Sequence, residues 1–239
     1  MKLDELCVLI PVYNNPATIA RVVEEVLAYE LPIIIVDDGS DIEVASLISS
    51  EVTVVRHDIN QGKGVALRSG AIRAYEMGYR FCLTMDGDGQ HFAADIPKFL
   101  EIFHKNSNEM VIGVRDFERC NPPKSSVIGR WIGNFWVWVE TGIWVSDTQT
   151  GFRLYPIDFL RYPSVTRRYE FEIENLVRFL WRGGNITEVS VKTLYDETRV
   201  THFDKSKDNF HMIVLHTKLV LKRIFLLKGI LAYHGEQHL

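Results

Sequence analysis

Residues 85–91 read MDGDGQH and place two carboxylates, Asp86 and Asp88, two positions apart among glycines and directly after the apolar run FCLT. The glycines let the chain turn sharply, so both carboxylates can face one point beyond a strand end, with Gln90 offering a further oxygen. Two like charges this close call for a cation. Hard divalent ions take oxygen ligands, and proteins commonly supply one or two carboxylates while substrate phosphates supply the rest. Asp86, Asp88 and Gln90 are therefore candidate ligands for Mg²⁺ or Mn²⁺ gripping a diphosphate. A solvated aspartate–glycine turn is the competing reading of the heptad by itself, since both residues are common in turns.

Three more polar clusters follow the same logic. VDDGS sets Asp37 and Asp38 after an Ile/Val run, where a carboxylate can accept hydrogen bonds from a base or a ribose. PVYNN sets Tyr13 where its ring can stack on a base, and NQGKG offers glycine amides and Lys63 near a helix N-terminus, a suitable phosphate or base contact. Each has a plainer explanation alone: a capping aspartate, a core tyrosine, a glycine turn. All four at one sheet edge point to a nucleotide.

That common edge follows from the order of elements. CVLIPVY (7–13) reads as a strand, and the helix after it carries Ile19, Val22, Val23, Val26 and Leu27 at helical spacing. PIIIVDDGS (32–40) fits a strand buried on both faces. DIEVASLISS reads as helical and VTVVRH (52–57) as a third strand. GKGVALRSGAIRAYEMG (62–78) reads as a helix with Val65, Ala66, Ile72 and Ala74 on or near its apolar face, and FCLTMD and EMVIGVR (109–115) as two further strands. Such alternation predicts an α/β fold with a mostly parallel central sheet and helices on both faces, and ligands bind beyond the carboxyl ends of such strands.

After residue 116 the pattern changes. VIGRWIGNFWVWVETGIWV reads as an aromatic-rich helix interrupted by its glycines, and SDTQTGFRLYP as a loop entering a short strand. YEFEIENLVRFLWRGG (169–184) reads as a helix closed by glycines. ITEVSVKTLYDETR opens as a strand, and residues Asn209 to Tyr233 read as a long helix.

Composition narrows the class. With 239 residues the chain can bury a large core as one large domain or two small ones. A formal net charge of −4 gives no reason to expect nucleic acid. Cys7, Cys82 and Cys120 are scattered and lack metal-type spacing, which reads as reduced thiols. The opening MKLDELCVLIPVYNN has acidic residues before a very short apolar run and predicts neither a signal peptide nor a membrane-spanning helix.

Taken as a set, PVYNN, VDDGS, NQGKGVALRSG, MDGDGQH, GVR (113–115) and SDTQTGFRLY (146–155) resemble the family 2 glycosyltransferases, nucleotide-sugar-dependent enzymes of the GT-A type. The resemblance is closest to the polyprenyl-phosphate sugar synthases of the dolichol-phosphate mannose synthase kind. It implies that Pro11, Tyr13, Asp38 and Lys63 surround the nucleotide, with Asn15 at a position where those synthases usually carry a glutamate. It implies that Asp86 reaches the ribose or the metal, that Asp88 and Gln90 hold the metal, and that Arg115 faces the donor or acceptor phosphate. Arg199 matches a late arginine that closes over the diphosphate, and His202 a basic position beside it. The paired basic residues of those synthases align with Ser125 and Ser126, so Lys124 or Arg130 would substitute at the acceptor. Asp147 is expected to order a loop and pair with Arg153, both on the acceptor side. The QxxRW signature of processive synthases is absent, which argues for transfer of a single sugar.

The implied chemistry is attack on the anomeric carbon with inversion, the metal and arginine stabilising charge on the departing nucleoside diphosphate. The implied catalytic set is Asp88, Arg115, Glu172 and Arg199. An anionic phosphate acceptor, such as polyprenyl phosphate, needs no general base. A hydroxyl on a glycan or glycolipid does, and Glu172 or Glu170 would then serve. A nucleotidyltransferase fits less well, since PVYNN replaces the glycine-rich loop expected there, and a non-catalytic nucleotide-binding module would not need Asp86, Asp88 and Arg199 together. Residues 1–205 are expected to form the catalytic domain, with 1–116 the nucleotide half and 117–205 the acceptor half. Residues 206–239 would add an amphipathic helix and tail, whose Lys218, Lys222, Arg223 and Lys228 lie among Ile, Leu, Val and Phe. Such a helix suits a membrane interface, as do Trp131, Trp136, Trp138 and Trp144, although packing on the domain or in its core is the alternative for each. The expected location is cytoplasmic, peripheral on the inner face of the cytoplasmic membrane.

Overall fold

The structure is a computed structural model that describes residues 3–48, 52–105, 109–117, 122–162, 164, 166–194 and 205–236; side chains are described for these apart from residues 205–207 and 226–236. Among the described residues seven strands form one sheet: β1 (Leu6–Val12), β2 (Ile33–Asp37), β3 (Thr53–Arg56), β4 (Phe81–Thr84), β5 (Met110–Arg115), β6 (Arg153–Pro156) and β7 (Ile186–Val191). Their spatial order is β3-β2-β1-β4-β6-β5-β7. Only β6 runs antiparallel to its neighbours, β4 and β5.

Period-two alternation builds both layers. Cys7 and Leu9 of β1 join one apolar cluster, while Leu6, Val8, Ile10 and Val12 join the other. Helices α1 (Ile19–Leu27) and α3 (Ile96–Lys105) cover the second face. The first face carries α2 (Lys63–Glu76), α4 (Lys124–Thr141), the short α5 (Ile157–Leu160), α6 (Glu170–Trp181) and α7 (Lys205–Glu236). With both faces covered, β1 and β2 are apolar at almost every position. Chain order reverses between β1 and β4, so a crevice opens beyond their carboxyl ends.

Three expectations are corrected. The segment after β2 is not an extended helix but a single tight turn at Val44–Leu47. Val44 is its one buried residue, so it has no apolar stripe, and the Asp37 carboxylate fixes its start by accepting from the Ser40 and Val44 amides. In α2 the buried face is Gly64, Ala66, Leu67, Gly70, Ala71 and Ala74, with Ile72 39% exposed. Small residues are required there because α2 lies almost on the sheet: a Cβ at Gly70 would sit 2.1 Å from Leu9 Cδ1. The glycines of α4 do not interrupt it. Gly133 instead admits the loop at Thr148, whose Oγ1 lies 2.9 Å from where a Cβ would be, and the helix ends at Gly142 in the left-handed conformation. Trp131, Trp136, Trp138 and Trp144 are not core but exposed at the surface. The last helix does pack on the domain, burying Asp208, Leu215, His216 and Leu219 against α4 and α6.

Candidate active site

The crevice is a cavity of about 340 Å³ lined by Pro11, Val12, Tyr13, Asn15, Asp38, Asn60, Gly62, Lys63, Ala66, Asp86, Gly87, Asp88, Arg168 and Tyr169. Its first wall is the loop after β1. Asn14 adopts φ 50° there and clasps the loop after β2: its amide nitrogen donates to Ser40 Oγ at 3.0 Å, and its side-chain oxygen accepts from Asp41 N at 2.8 Å. Asp37 is not part of the cavity lining and is structural, pairing with Arg56 and accepting from Ser40 N. Asp38 faces the cavity with 2% exposure, and its carboxylate is already engaged. It accepts from Gln61 N at 3.0 Å and Gly62 N at 2.8 Å and lies 2.6 Å from His57 Nδ1. Asp38 thus holds the turn that opens α2 and presents Lys63.

Lys63, the first residue of α2, is a cation beside one of the two close aspartates, Asp86. Its Nζ lies 2.7 Å from Asp86 Oδ1 and 3.2 Å from Glu172 Oε1. Burial works against its charge, but Asp86 and Glu172 outweigh that and keep the ammonium protonated. Glu172 is 3% exposed; burial raises its carboxyl above the ordinary range, with Lys63 pulling the other way. Glu172 stands behind Lys63 and is not part of the cavity lining. Glu170 ties down the segment before its helix, its Oε1 accepting from the amides of Arg167 and Arg168 at 3.3 and 3.4 Å.

The turn after β4 fits a hard cation. Asp86 and Asp88 both line the cavity and Asp88 Oδ1 accepts from Gln90 N at 3.1 Å, while Gln90 itself is not part of the lining. No group of three or more His, Cys, Asp and Glu side chains that could cage a metal occurs among the described residues. Two carboxylates in an open cavity suit an ion that shares its shell with phosphate oxygens.

Several residues at the site had no role assigned from the sequence: Gly151 and His91 lie inside the motifs that carry the family resemblance, and Arg168 and Tyr169 lie outside them. Gly151 packs so tightly on Asp86 that a Cβ would lie 2.4 Å from its Oδ2. His91 is buried against Phe152, 3.9 Å from Asp86 Oδ2, and burial pushes its pKa down to about 4. Arg168 and Tyr169 enter the cavity because α2 and the segment before α6 meet. Gly64 N donates to Arg167 O at 2.8 Å, and a Cβ at Gly62 would sit 2.6 Å from the same oxygen. Their only trace in the sequence is their position just before the acidic start of YEFEIE.

The expected acceptor residues gather elsewhere, beside β5 and α4. Asp147 is fully buried and pairs with Arg115, not Arg153, at 2.8 Å (Nε to Oδ2) and 2.9 Å (Nη2 to Oδ1). Burial works to raise the Asp147 carboxyl, and the Arg115 guanidinium overrides it and holds it below the usual range. Arg153 is fully buried and donates to the carbonyls of Thr148, Thr150 and Glu172, so it braces the loop rather than meeting a ligand. Arg130 donates to Arg115 O and lies over the Phe117 ring at 3.7 Å, while Lys124 is exposed at the start of α4. Arg199 and His202 lie outside the described residues.

The sheet order, the strand-end cavity and its carboxylates are those of a nucleotide-binding α/β enzyme. Residues 7–161 match the model of "Glycosyl transferase family 2", and the chain belongs to that family. A relative, the UDP-N-acetylglucosamine–dolichyl-phosphate N-acetylglucosaminyltransferase of Methanococcus voltae, is 31% identical over 214 residues, which span 79% of this chain and 85% of that protein. The undecaprenyl-phosphate mannosyltransferase of Micrococcus luteus is 27% identical over 200 residues, 77% and 81% of the two chains. Among solved structures, glucosyl-3-phosphoglycerate synthase from Mycobacterium tuberculosis, in complex with Mn²⁺, UDP-glucose and phosphoglyceric acid, superposes with a TM-score of 0.68 at 19% identity. That match covers 91% of this chain and 79% of the synthase and speaks to the fold alone.

Proposed function

We propose that this glycosyltransferase moves one sugar, with inversion, from a nucleoside-diphosphate sugar to polyprenyl phosphate, using Mg²⁺ or Mn²⁺ at Asp86 and Asp88. The observation that carries the reading is the convergence of Asp86, Asp88 and Lys63 in one cavity at the sheet's switch point. Two relatives named for transfer to dolichyl phosphate and undecaprenyl phosphate support a lipid-phosphate acceptor. The relative named for a UDP-N-acetylglucosamine donor supports the donor class, and two carboxylates in an open cavity support the metal.

In this reading Pro11, Tyr13, Asn15 and Asp38 hold the nucleoside. Asp86, Asp88 and Gln90 hold the divalent ion, which when bound neutralises charge on the departing diphosphate. Lys63 adds a fixed positive charge beside it, at no cost of reorganisation because Asp86 and Glu172 already orient the ammonium. The family resemblance assigns Arg115, Arg199 and His202 to phosphate groups; of these, Arg115 is held on Asp147 beside the cavity lining. A phosphate acceptor needs no base, and Glu172 is then a positioning group for Lys63. A hydroxyl acceptor would need a base, yet Glu172 is covered by Lys63 and Glu170 is engaged by backbone amides. These engagements favour the phosphate.

A lipid acceptor brings the enzyme to a membrane surface. Along α7, Phe210, Ile213, Leu221, Ile224 and Phe225 are exposed together with Lys218 and Lys222, a composition suited to an anionic interface. No helix among the described residues is long and apolar enough to cross a membrane. Peripheral attachment at the inner face of the cytoplasmic membrane is the matching location.

The test is a thermal-shift panel of UDP- and GDP-sugars with and without Mn²⁺, followed by transfer to undecaprenyl phosphate, on wild type and Asp88→Asn. A metal-dependent stabilisation by one nucleotide class, lost in the variant, is expected. No shift of the wild type by any nucleotide would refute the donor reading, and donor binding without transfer to the lipid phosphate would refute the acceptor.

A further inference from the structure

Arg168 stands out among the residues lining the cavity because it is a second cation there, and its orientation is set from a distant part of the chain. Its Nε donates to Asp208 Oδ1 at 2.7 Å and its Nη2 to Asp208 Oδ2 at 3.4 Å, across 40 positions of sequence. Asp208, in the first turn of α7, is 1% exposed, whereas the Arg168 side chain is 37% exposed. A buried carboxylate needs a paired cation, so Arg168 is held at one end. Asp208 engages Nε and Nη2 and leaves the Nη1 donors without a partner among the described residues. A guanidinium presents its donors in a rigid planar fork that matches phosphate oxygens.

The surroundings place Arg168 beside Lys63 and the start of α2. Arg168 packs at the N-terminus of α2: its Cγ lies 3.2 Å from where a Gly62 Cβ would be, and Arg167 O accepts from Gly64 N. Lys63 begins that helix, and its Nζ lies 5.9 Å from the centre of the Tyr169 ring. Arg168, Lys63 and the α2 N-terminus, a favourable end for anions, therefore share one cavity. His211 of α7 approaches Glu170 at 4.0 Å, a second tie between α7 and this segment.

We infer that Arg168 is a phosphate-binding residue of the cavity and that Asp208 is its positioning residue, so that the first turn of α7 completes the substrate site. The inference rests on the glycosyltransferase reading above. The phosphate can belong to the nucleoside diphosphate or to the lipid acceptor, and the experiment separates the two.

The experiment uses the full chain and the variants Arg168→Gln, Arg168→Lys, Asp208→Asn and the double Arg168→Gln/Asp208→Asn. Affinity for UDP (GDP if the wild type prefers it) is measured by calorimetry with Mn²⁺, and KM for undecaprenyl phosphate in the transfer assay, with melting temperature recorded for each. The expected result for Arg168→Gln is a loss of about tenfold or more in diphosphate affinity or in acceptor KM. The arm that moves identifies the source of the phosphate. Arg168→Lys is expected to recover part of the loss by restoring charge, which also keeps the test decisive if the glutamine variant folds poorly. Asp208→Asn is expected to show a smaller loss in the same arm, with no further loss in the double variant. Unchanged affinity and unchanged acceptor KM in Arg168→Gln, with or without a lower melting temperature, would overturn the inference. If the wild type bound no nucleotide, the glycosyltransferase reading itself would fall, a distinct outcome.

Discussion

Replacing Gly151 by alanine is the sharpest probe of how the site is held. The added methyl would lie 2.4 Å from Asp86 Oδ2 and 2.8 Å from both Cγ and Oδ1. A carbon–oxygen contact of about 3.3 Å is the closest that is comfortable, so the carboxylate must retreat by about 0.9 Å. The backbone of Gly151 cannot absorb the shift: its carbonyl accepts from Thr84 Oγ1 at 2.7 Å, and the next residue, Phe152, is fully buried against Phe99. Asp86 can move, since its side chain is 24% exposed, but it leaves the 2.7 Å contact with Lys63. Stability should therefore fall by only about 1 kcal/mol, the low end for overpacking. Function should suffer far more, because a displacement of about 1 Å in a positioned group costs on the order of 100-fold in rate. Urea unfolding gives the first quantity. UDP–Mn²⁺ calorimetry and transfer kinetics give the second. Turnover within about threefold of wild type, with stability lowered as expected, would refute the claim that the placement of Asp86 governs the site.

Two further predictions use the carboxylates farther back. Glu172→Gln should reduce transfer to polyprenyl phosphate by about tenfold or less, since a group that positions Lys63 is lost but its shape is kept; a drop of 10²–10⁴ would identify Glu172 as a general base and favour a hydroxyl acceptor. Asp147→Asn removes one partner of a buried ion pair and should cost about 3 kcal/mol at neutral pH. Because the folded Asp147 carboxyl is held below its unfolded value of about 3.9, its contribution is present above that value and lost as pH falls through the folded value. Thermal melts across the acid range should accordingly show a shallower acid loss in the variant than in wild type. Parallel curves would disprove the linkage.

The strand ends were legible from the sequence because periodicity is local. PVYNN, VDDGS and MDGDGQH each close an apolar run, and parallel strands all finish at the same edge, so their polar ends must share a crevice. The glycine stop of α6 was legible for the same reason, and Gly183 is left-handed there; the stop of α4 at Gly142 was not, since its glycines read as interruptions. The apolar face of α2 was not, because its inward surface is glycine and alanine. What excludes larger residues there is how close the sheet lies, and one strand of sequence does not reveal that distance to another.

Ion pairing depended still more on tertiary structure. Asp147 and Arg153 are neighbours in sequence, yet the partner of Asp147 is Arg115, 32 positions away, and Arg153 turns inward to backbone carbonyls. Which residues could end up at the cavity was fixed by the period of strands and helices, a property of consecutive residues. Which cation meets which carboxylate was decided by where distant segments cross: Lys63 on Asp86 and Glu172, Arg168 on Asp208. A Coulombic contact rewards only the last few ångströms of approach, and packing of the helices on the sheet sets those ångströms.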